Sequence, residues 1–148
     1  MHEILSNKQM ARADRLTTEG GTTGWTLMQN AGAHIARIVA DHYPAGLPVL
    51  VLCGPGNNGG DGFVAARILK DRGRDVRLAC LVKTSGLKGD AARACQDWNG
   101  QVSGFEEISR NLPERAVVVD AVFGTGFNKQ LDDPVSPLFA AIEKAGLP

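Results

Sequence analysis

The segment Val49-Leu-Val-Leu-Cys53 runs directly into Gly54-Pro-Gly-Asn-Asn-Gly-Gly-Asp-Gly62, and this junction decides the fold. The apolar run predicts a buried strand, and five of the next nine residues are glycines. Phe63 to Lys70 then follow a helical pattern. Glycine lets backbone N–H groups approach a ligand closely, and a helix N-terminus adds about half a positive charge. The junction therefore predicts a strand, a loop that can cradle phosphate or a cation with its anionic partner, and a helix.

Length, charge and cysteine content narrow the class of protein. The 148 residues fit one compact domain, and 16 basic residues balance 16 acidic ones without a run of either sign. This charge distribution gives no indication of a basic nucleic-acid groove or a polybasic membrane patch. Cys53, Cys80 and Cys95 lack metal-site spacing and are expected to be reduced core residues. Without a signal peptide or a membrane-length apolar stretch, we expect a soluble, cytoplasmic protein with small-molecule partners.

Predicted strands alternate with predicted helices along the chain. A capping box, Ser6-Asn-Lys-Gln9, begins the first helix. The predicted helices cover 7–18, a second segment that ends before Pro44, 62–72, 89–98 and 135–145, and the predicted strands cover 47–53, 75–82, 101–105 and 116–122. Such alternation predicts an α/β domain with right-handed crossovers and a parallel sheet covered on both faces. We expect this single domain, 1–148, to be incomplete at its C-terminal end, because the last helix prepares for another strand.

A second glycine loop, Gly124-Thr-Gly126, follows the β-branched run Ala116 to Val122. Open parallel sheets bind ligands outside the carboxyl ends of their strands, where the strand order reverses. If the first and fourth strands are neighbours, the two glycine loops face each other across one crevice.

Two common nucleotide-binding interpretations fit poorly. Gly54-x-Gly56-x-x-Gly59 formally matches the dinucleotide fingerprint, which also needs an acidic residue about twenty positions on to hold the ribose. The sequence there is Leu81-Val-Lys-Thr-Ser85, which disfavours a hydride-transfer enzyme. A Walker loop is disfavoured because its lysine is missing and Asp61 would repel phosphate.

The first loop also offers oxygen donors. Asn57, Asn58 and Asp61 lie near the predicted helix start, and Asp120 ends an apolar strand. An unpaired carboxylate at the end of an apolar strand has a high free-energy cost, and a cation held by Asn58 and Asp120 would offset that cost. In the alternative interpretation Asp120 caps neighbouring N–H groups, the asparagines serve turns, and Asp61 is the N-cap of helix 62–72. Both interpretations stay open at this point.

Three motifs together resemble the NAD(P)HX epimerase family, the YjeF N-terminal domain. They are Leu27-Met-Gln-Asn-Ala-Gly32, Cys53-Gly-Pro-Gly-Asn-Asn-Gly-Gly-Asp-Gly62 and Val118-Val-Asp-Ala-Val-Phe-Gly-Thr-Gly126. The resemblance implies a Rossmann-like αβα sandwich, usually dimeric. It also implies an enzyme that interconverts the R and S hydrates of NADH and NADPH, so that a separate or fused ADP- or ATP-dependent dehydratase can restore the cofactor.

The resemblance further implies which residues bind. The implied substrate-binding residues are Asn57, Asn58, Gly59, Gly60, Asp61, Gly124, Thr125, Gly126, Phe127, Asn128, Lys129 and Gln130, and the implied potassium ligands are Asn58 and Asp120. The family continues into an Asp-Ile-Pro-Ser-Gly-like motif with further ligands, and Pro148 precedes it. The catalytic acid and base stay unassigned, because a cation-bound Asp120 is a poor base.

A rival from another class is a non-catalytic scaffold of the same fold that binds nucleotides or partner proteins. Relatives of that kind tend to have degraded glycine loops. Asn57, Asn58, Asp61 and Asp120 are all present here, which favours the enzyme.

Overall fold

The computed structural model describes residues 6–125 and 134–148. The helices are α1 (Asn7–Glu19), α2 (Gly24–His42), α3 (Asn57–Asp71), α4 (Gly89–Asp97), α5 (Phe105–Arg110) and α6 (Val135–Ala145), and the strands are β1 (Val49–Cys53), β2 (Val76–Cys80), β3 (Val102–Gly104) and β4 (Val117–Ala121). The predicted alternation is confirmed, with α5 as an additional short helix. Within the described residues, no helix has both the length and the apolar character needed to cross a bilayer.

All strand pairs in the four-stranded sheet are parallel, in the order β3-β2-β1-β4. The chain moves outward from β1 to β2 and β3, and then returns to place β4 on the other side of β1. The condition stated in the sequence analysis, that the first and fourth strands are neighbours, is therefore met. The strand order reverses between β1 and β4, which is where open parallel sheets bind ligands.

Helices cover both faces of the sheet, and β1 is buried from both sides. Val49, Val51 and Cys53 belong to one core layer, and Leu50 and Leu52 belong to the other. The first layer is completed by side chains of α2, α3 and α4, including Met28, Phe63 and Ala94, and the second by side chains of α5 and α6, including Phe105, Leu138 and Ile142. Because side chains alternate along a strand, a continuous apolar run such as β1 serves both layers. The predicted three-layer αβα architecture is confirmed.

The N-terminal helix α1 is attached to the domain differently from the others. Its predicted capping box is present, since the Gln9 N–H donates to the Ser6 hydroxyl at 3.4 Å and the Ser6 N–H donates to Gln9 Oε1 at 2.8 Å. No residue of α1 is buried. The side-chain amide of Asn7 donates to the carbonyl oxygen of Thr125 at 3.0 Å. This bond ties the start of α1 to the loop that follows β4.

The three cysteines are free thiols. Cys53 and Cys80 are buried at the ends of β1 and β2, whereas Cys95 is partly buried on α4. Burial raises the pKa of the Cys53 thiol well above its ordinary value, so the reactive thiolate is disfavoured. The prediction of reduced core cysteines is confirmed for Cys53 and Cys80.

Candidate active site

The glycine loop after β1 folds into the first turn of α3. The helix begins at Asn57, and its N-cap is Gly56, which has no side chain to form a cap bond. The first helical bond runs from the Gly60 N–H to the Gly56 carbonyl oxygen at 3.1 Å. The N–H groups of Asn57, Asn58 and Gly59 precede that bond, so they have no partner within the helix. Free N–H groups at the positive end of a helix dipole are suited to binding phosphate.

This geometry corrects one of the sequence interpretations. Asp61 was considered as the N-cap of a helix over 62–72, but it lies within α3, after the first turn. That interpretation is wrong because the glycines and asparagines before Asp61 are themselves helical. The carboxylate of Asp61 is therefore free of a capping role.

Two glycines allow the backbones of β1, β4 and α3 to meet. A Cβ on Gly54 would overlap the carbonyl oxygen of Val122, and a Cβ on Gly59 would overlap the carbonyl oxygen of Gly54. The Gly54 N–H donates to the Ala121 carbonyl oxygen at 3.0 Å, which extends the β1–β4 pairing into the loop. Only glycine fits at these two positions without moving a backbone.

The second glycine loop lies against the first. A Cβ on Gly124 would lie 3.5 Å from the Cβ of Asn58, which is ordinary van der Waals contact. The two loops and α1 enclose a groove of about 550 Å³. That volume falls within the usual range for small-molecule sites. The groove is lined by Asp14, Pro55, Gly56, Asn57, Asn58, Asp61, Val122, Phe123, Gly124 and Thr125.

The predicted substrate-binding residues divide into three groups. Asn57, Asn58, Asp61, Gly124 and Thr125 line the groove together. Gly59 and Gly60 are buried behind it, where their lack of a side chain permits close packing. The remaining predicted residues, Gly126, Phe127, Asn128, Lys129 and Gln130, lie outside the described residues. For all of them, contact with substrate stays a prediction.

Asp61 is the groove's most perturbed titratable group. Partial burial, together with the nearby charge of Asp14, raises the pKa of its carboxyl to about 6. Asp61 and Asp14 also line an adjoining cavity of about 350 Å³ beneath α1 and α2. Among the residues described, no hydrogen bond or ion pair engages the Asp61 carboxylate. A half-buried carboxyl with a pKa near 6 can both give and accept a proton near neutral pH.

Asp120 lies close to the groove but does not line it. It pairs in register with Leu52, whose side chain belongs to the α5 and α6 layer. Its carboxylate oxygen Oδ1 accepts a hydrogen bond from the Val122 N–H at 3.0 Å. The alternative interpretation, in which Asp120 caps a neighbouring backbone N–H group, is therefore confirmed for this contact. In the described part of the chain, no three His, Cys, Asp or Glu side chains form a group that could hold a metal. The assignment of Asn58 and Asp120 as potassium ligands stays a prediction.

Sequence reasoning missed the contribution of α1. Asp14 lines both cavities, although it lies forty positions before Gly54, where the glycine loop begins. Its helix was predicted from the capping box, but nothing in the local pattern indicates that α1 lies beside the groove. A long-range contact, such as the bond from Asn7 to Thr125, was needed to place it.

Comparison with known proteins identifies the family. Residues 24–148 match the family described as YjeF-related protein N-terminus. This chain belongs to that family. The match includes both glycine loops and excludes α1, so Asp14 reaches the groove from outside the segment that defines the YjeF-related N-terminal domain.

Individual relatives cover nearly the whole chain. The NAD(P)H-hydrate epimerase of Rhodobacter capsulatus is 35% identical over 158 aligned residues, covering 100% of this chain and 74% of the relative. The bifunctional NAD(P)H-hydrate repair enzyme Nnr of Coxiella burnetii is 34% identical, covering 99% of this chain and 30% of the relative. A crystal structure of the yeast YNL200c protein superposes with a TM-score of 0.85 at 27% identity, covering 97% of this chain and 66% of that one. The chain thus spans only part of the length of these three proteins.

Proposed function

We propose that this chain interconverts the R and S hydrates of NADH and NADPH. The observation that carries the proposal is the single groove in which the first turn of α3 meets Gly124 and Thr125. The names of its relatives, NAD(P)H-hydrate epimerase and bifunctional repair enzyme, support the same reaction. The free N–H groups at the start of α3 and the Asp61 carboxyl, which lines the same groove, support the proposal.

The diphosphate would bind at the start of α3. The N–H groups of Asn57, Asn58 and Gly59 are available to donate hydrogen bonds to its oxygens, and the helix dipole favours its negative charge. The side-chain amides of Asn57 and Asn58 can add further donors. The hydrated nicotinamide ring would then extend over the end of β4, beside Gly124 and Thr125.

Asp61 is the group best suited to move the proton. Epimerisation can proceed when the protonated carboxyl gives its proton to the ring hydroxyl, which leaves as water. The carbon–oxygen bond breaks while the lone pair of the ring nitrogen forms a carbon–nitrogen double bond. Water then adds to the opposite face, the nitrogen recovers its electron pair, and the carboxylate takes back a proton. A pKa of about 6 allows both steps near neutral pH.

We also propose potassium as the metal of this site, held by Asn58 and Asp120. The side-chain amide of Asn58 forms no hydrogen bond within the described residues, and Asp120 commits only Oδ1, to the Val122 N–H. A bound cation would offset the negative charge of the diphosphate and of Asp61. Asp120→Asn should therefore raise the potassium concentration needed for activity while changing thermal stability little. An unchanged potassium titration would contradict the assignment.

The decisive experiment supplies one purified epimer of each hydrate and follows the appearance of the other by chromatography. The chain should accelerate the conversion above its spontaneous rate, and Asp61→Asn should lower that rate by about 100-fold or more, as expected for loss of a general acid and base. Asp75→Asn, at an exposed position outside the groove, is the matched control. Binding without acceleration would indicate the scaffold alternative, and cofactor oxidation would indicate an oxidoreductase.

Three wider assignments belong to the same proposal. We propose a cytoplasmic homodimer whose product passes to a dehydratase. The bifunctional Coxiella relative supports a partnership with a second repair activity. Sedimentation of the purified chain tests the dimer, and a coupled assay with an added dehydratase tests the partnership. A monomer at micromolar concentration would contradict the dimer assignment.

A further inference from the structure

A second cavity lies at the same edge of the sheet as the groove. It has a volume of about 500 Å³ and lies over the ends of β2 and β3. Its polar lining includes Lys83, Thr84, Glu106, Glu107 and Arg110. None of its lining residues also lines the groove.

The strand order places the two cavities side by side. The groove lies over the ends of β1 and β4. The second cavity lies over the ends of β2 and β3, which are on the other side of β1 from β4 in the sheet. The Leu81 N–H donates to the Cys53 carbonyl oxygen at 2.9 Å, so β1 and β2 stay paired up to this edge. Two strand spacings correspond to roughly 10 Å. A dinucleotide with its diphosphate at the start of α3 can therefore extend into both cavities.

The residues after β2 indicate what the second cavity recognises. In dinucleotide-binding sheets an acidic residue at this position binds the ribose 2′-hydroxyl, whereas a cation nearby accommodates a 2′-phosphate. Here the residues are Lys83, Thr84 and Ser85. Lys83 is exposed and forms no ion pair within residues 6–125 and 134–148. Its ammonium group is available to a ligand.

The other charged groups of the cavity lie on α5. The guanidinium of Arg110 has no ion-pair partner in the described segments and adds a second cation. The carboxylates of Glu106 and Glu107 face the same space and would oppose a phosphate placed near them. They are suited instead to accept hydrogen bonds from hydroxyl groups, such as those of a ribose. The lining therefore combines phosphate-binding and hydroxyl-binding groups.

We propose that this second cavity receives the adenosine half of the substrate, with Lys83 contacting the ribose 2′-phosphate, so that the NADPH hydrate is preferred over the NADH hydrate. The inference rests on the proposed function for the identity of the substrate. It adds a binding site, the chemical group recognised there and a direction of preference.

The test measures binding of two nucleotide fragments by titration calorimetry at low salt. Adenosine 2′,5′-bisphosphate carries the 2′-phosphate, and 5′-AMP lacks it. The unmodified chain should bind the bisphosphate about tenfold more tightly, the size expected for one partly exposed charge-assisted contact. Lys83→Ala should abolish that difference, and Lys83→Arg should retain it. Lys88→Ala removes an exposed lysine outside the cavity and should change neither affinity.

Kinetics with the two hydrates separate this inference from the proposed function. Lys83→Ala should raise the KM for the NADPH hydrate about tenfold and leave its kcat and both constants for the NADH hydrate unchanged. Equal affinity of the unmodified chain for the two fragments, no binding of either, or an equal loss of both in Lys83→Ala would overturn the inference. Absence of turnover with either hydrate, while the fragments are still distinguished, would instead overturn the proposed reaction and leave the phosphate site standing.

Discussion

Replacing Asp61 by asparagine should make the chain more stable above pH 6 while lowering its activity. Burial, with a contribution from Asp14, raises the pKa of the Asp61 carboxyl from 3.8 to about 6. The folded state therefore holds the Asp61 proton more tightly than the unfolded state does. The resulting stabilisation is fully present below pH 3.8 and is lost as the pH rises through 6. At pH 8 the ionised carboxylate destabilises the fold.

The size of this effect follows from the two pKa values. The rise in the pKa of Asp61 from 3.8 to about 6 corresponds to a change in the free energy of unfolding of at most about 3 kcal/mol. Asp61 is partly exposed, and solvent screening reduces the value to about 1–2 kcal/mol. For a chain of this length, that free energy corresponds to a rise in Tm of roughly 3–6 °C for Asp61→Asn at pH 8.

Thermal unfolding followed by circular dichroism between pH 4 and pH 8 measures the difference. The gap in Tm between Asp61→Asn and the unmodified chain should be largest at pH 8 and should close as the pH falls towards 4. Asp14→Asn removes the second cause of the raised pKa and should give a smaller stabilisation of the same sign. Asp75→Asn, an exposed position away from the groove, should give no pH-dependent gap. A gap of constant size across the pH range, or a less stable Asp61→Asn at pH 8, would refute the electrostatic account.

Two further predictions concern packing. Gly59→Ala should destabilise the fold by about 1–3 kcal/mol or more, because the new methyl group would overlap a backbone carbonyl, whereas Gly86→Ala meets nothing within 4 Å and should be nearly neutral in chemical denaturation. Equal midpoints for the two variants would contradict the close approach of Gly59 to the Gly54 carbonyl oxygen. Arg74→Ala should cost about 1–3 kcal/mol, because the buried guanidinium donates to two carbonyl oxygens between α2 and β1, each at 3.1 Å. Arg72→Ala, at an exposed position, is the control in the same denaturation assay. If Arg72→Ala lowered the free energy of unfolding as much as Arg74→Ala does, the buried hydrogen bonds of Arg74 would contribute little.

The sheet and its helices could be predicted because their signals are local. The continuous apolar run of β1 and the β-branched run of β4 identify buried parallel strands, and Ser6 with Gln9 identifies a helix start. The loop lengths between these elements then restrict the sheet to few topologies. The groove lies between the two glycine loops because β1 and β4 are neighbours. The sequence alone could give this neighbourhood only as a condition.

The start of α3 and the placement of Asp14 and Asp120 could not be read from local signals. Asparagine and glycine are poor helix formers, so the turn from Asn57 to Gly60 was predicted as a loop, although contacts with β1 and β4 hold it helical. Asp14 lies beside the groove only through tertiary contacts of α1. Asp120 lies near the end of β4 and pairs with Leu52, so the two side chains lie on the same face of the sheet. This pairing depends on the register of β4 against β1, which local sequence does not give.

The glycines of α3 weaken the helix but allow it to pack closely against the ends of β1 and β4. Gly59, Gly60 and Gly62 lie within a helix, where each is less favourable than alanine by about 1 kcal/mol. A Cβ on Gly59 would overlap the backbone of the β1 loop, and a Cβ on Gly62 would overlap Ala121 and Cys53. A Cβ on Gly60 would require the flexible end of the Met28 side chain to move. Larger residues would favour the isolated helix but push its first turn away from the sheet edge. The N–H groups that we propose to bind phosphate therefore reach the strand ends because the helix contains glycine at these positions.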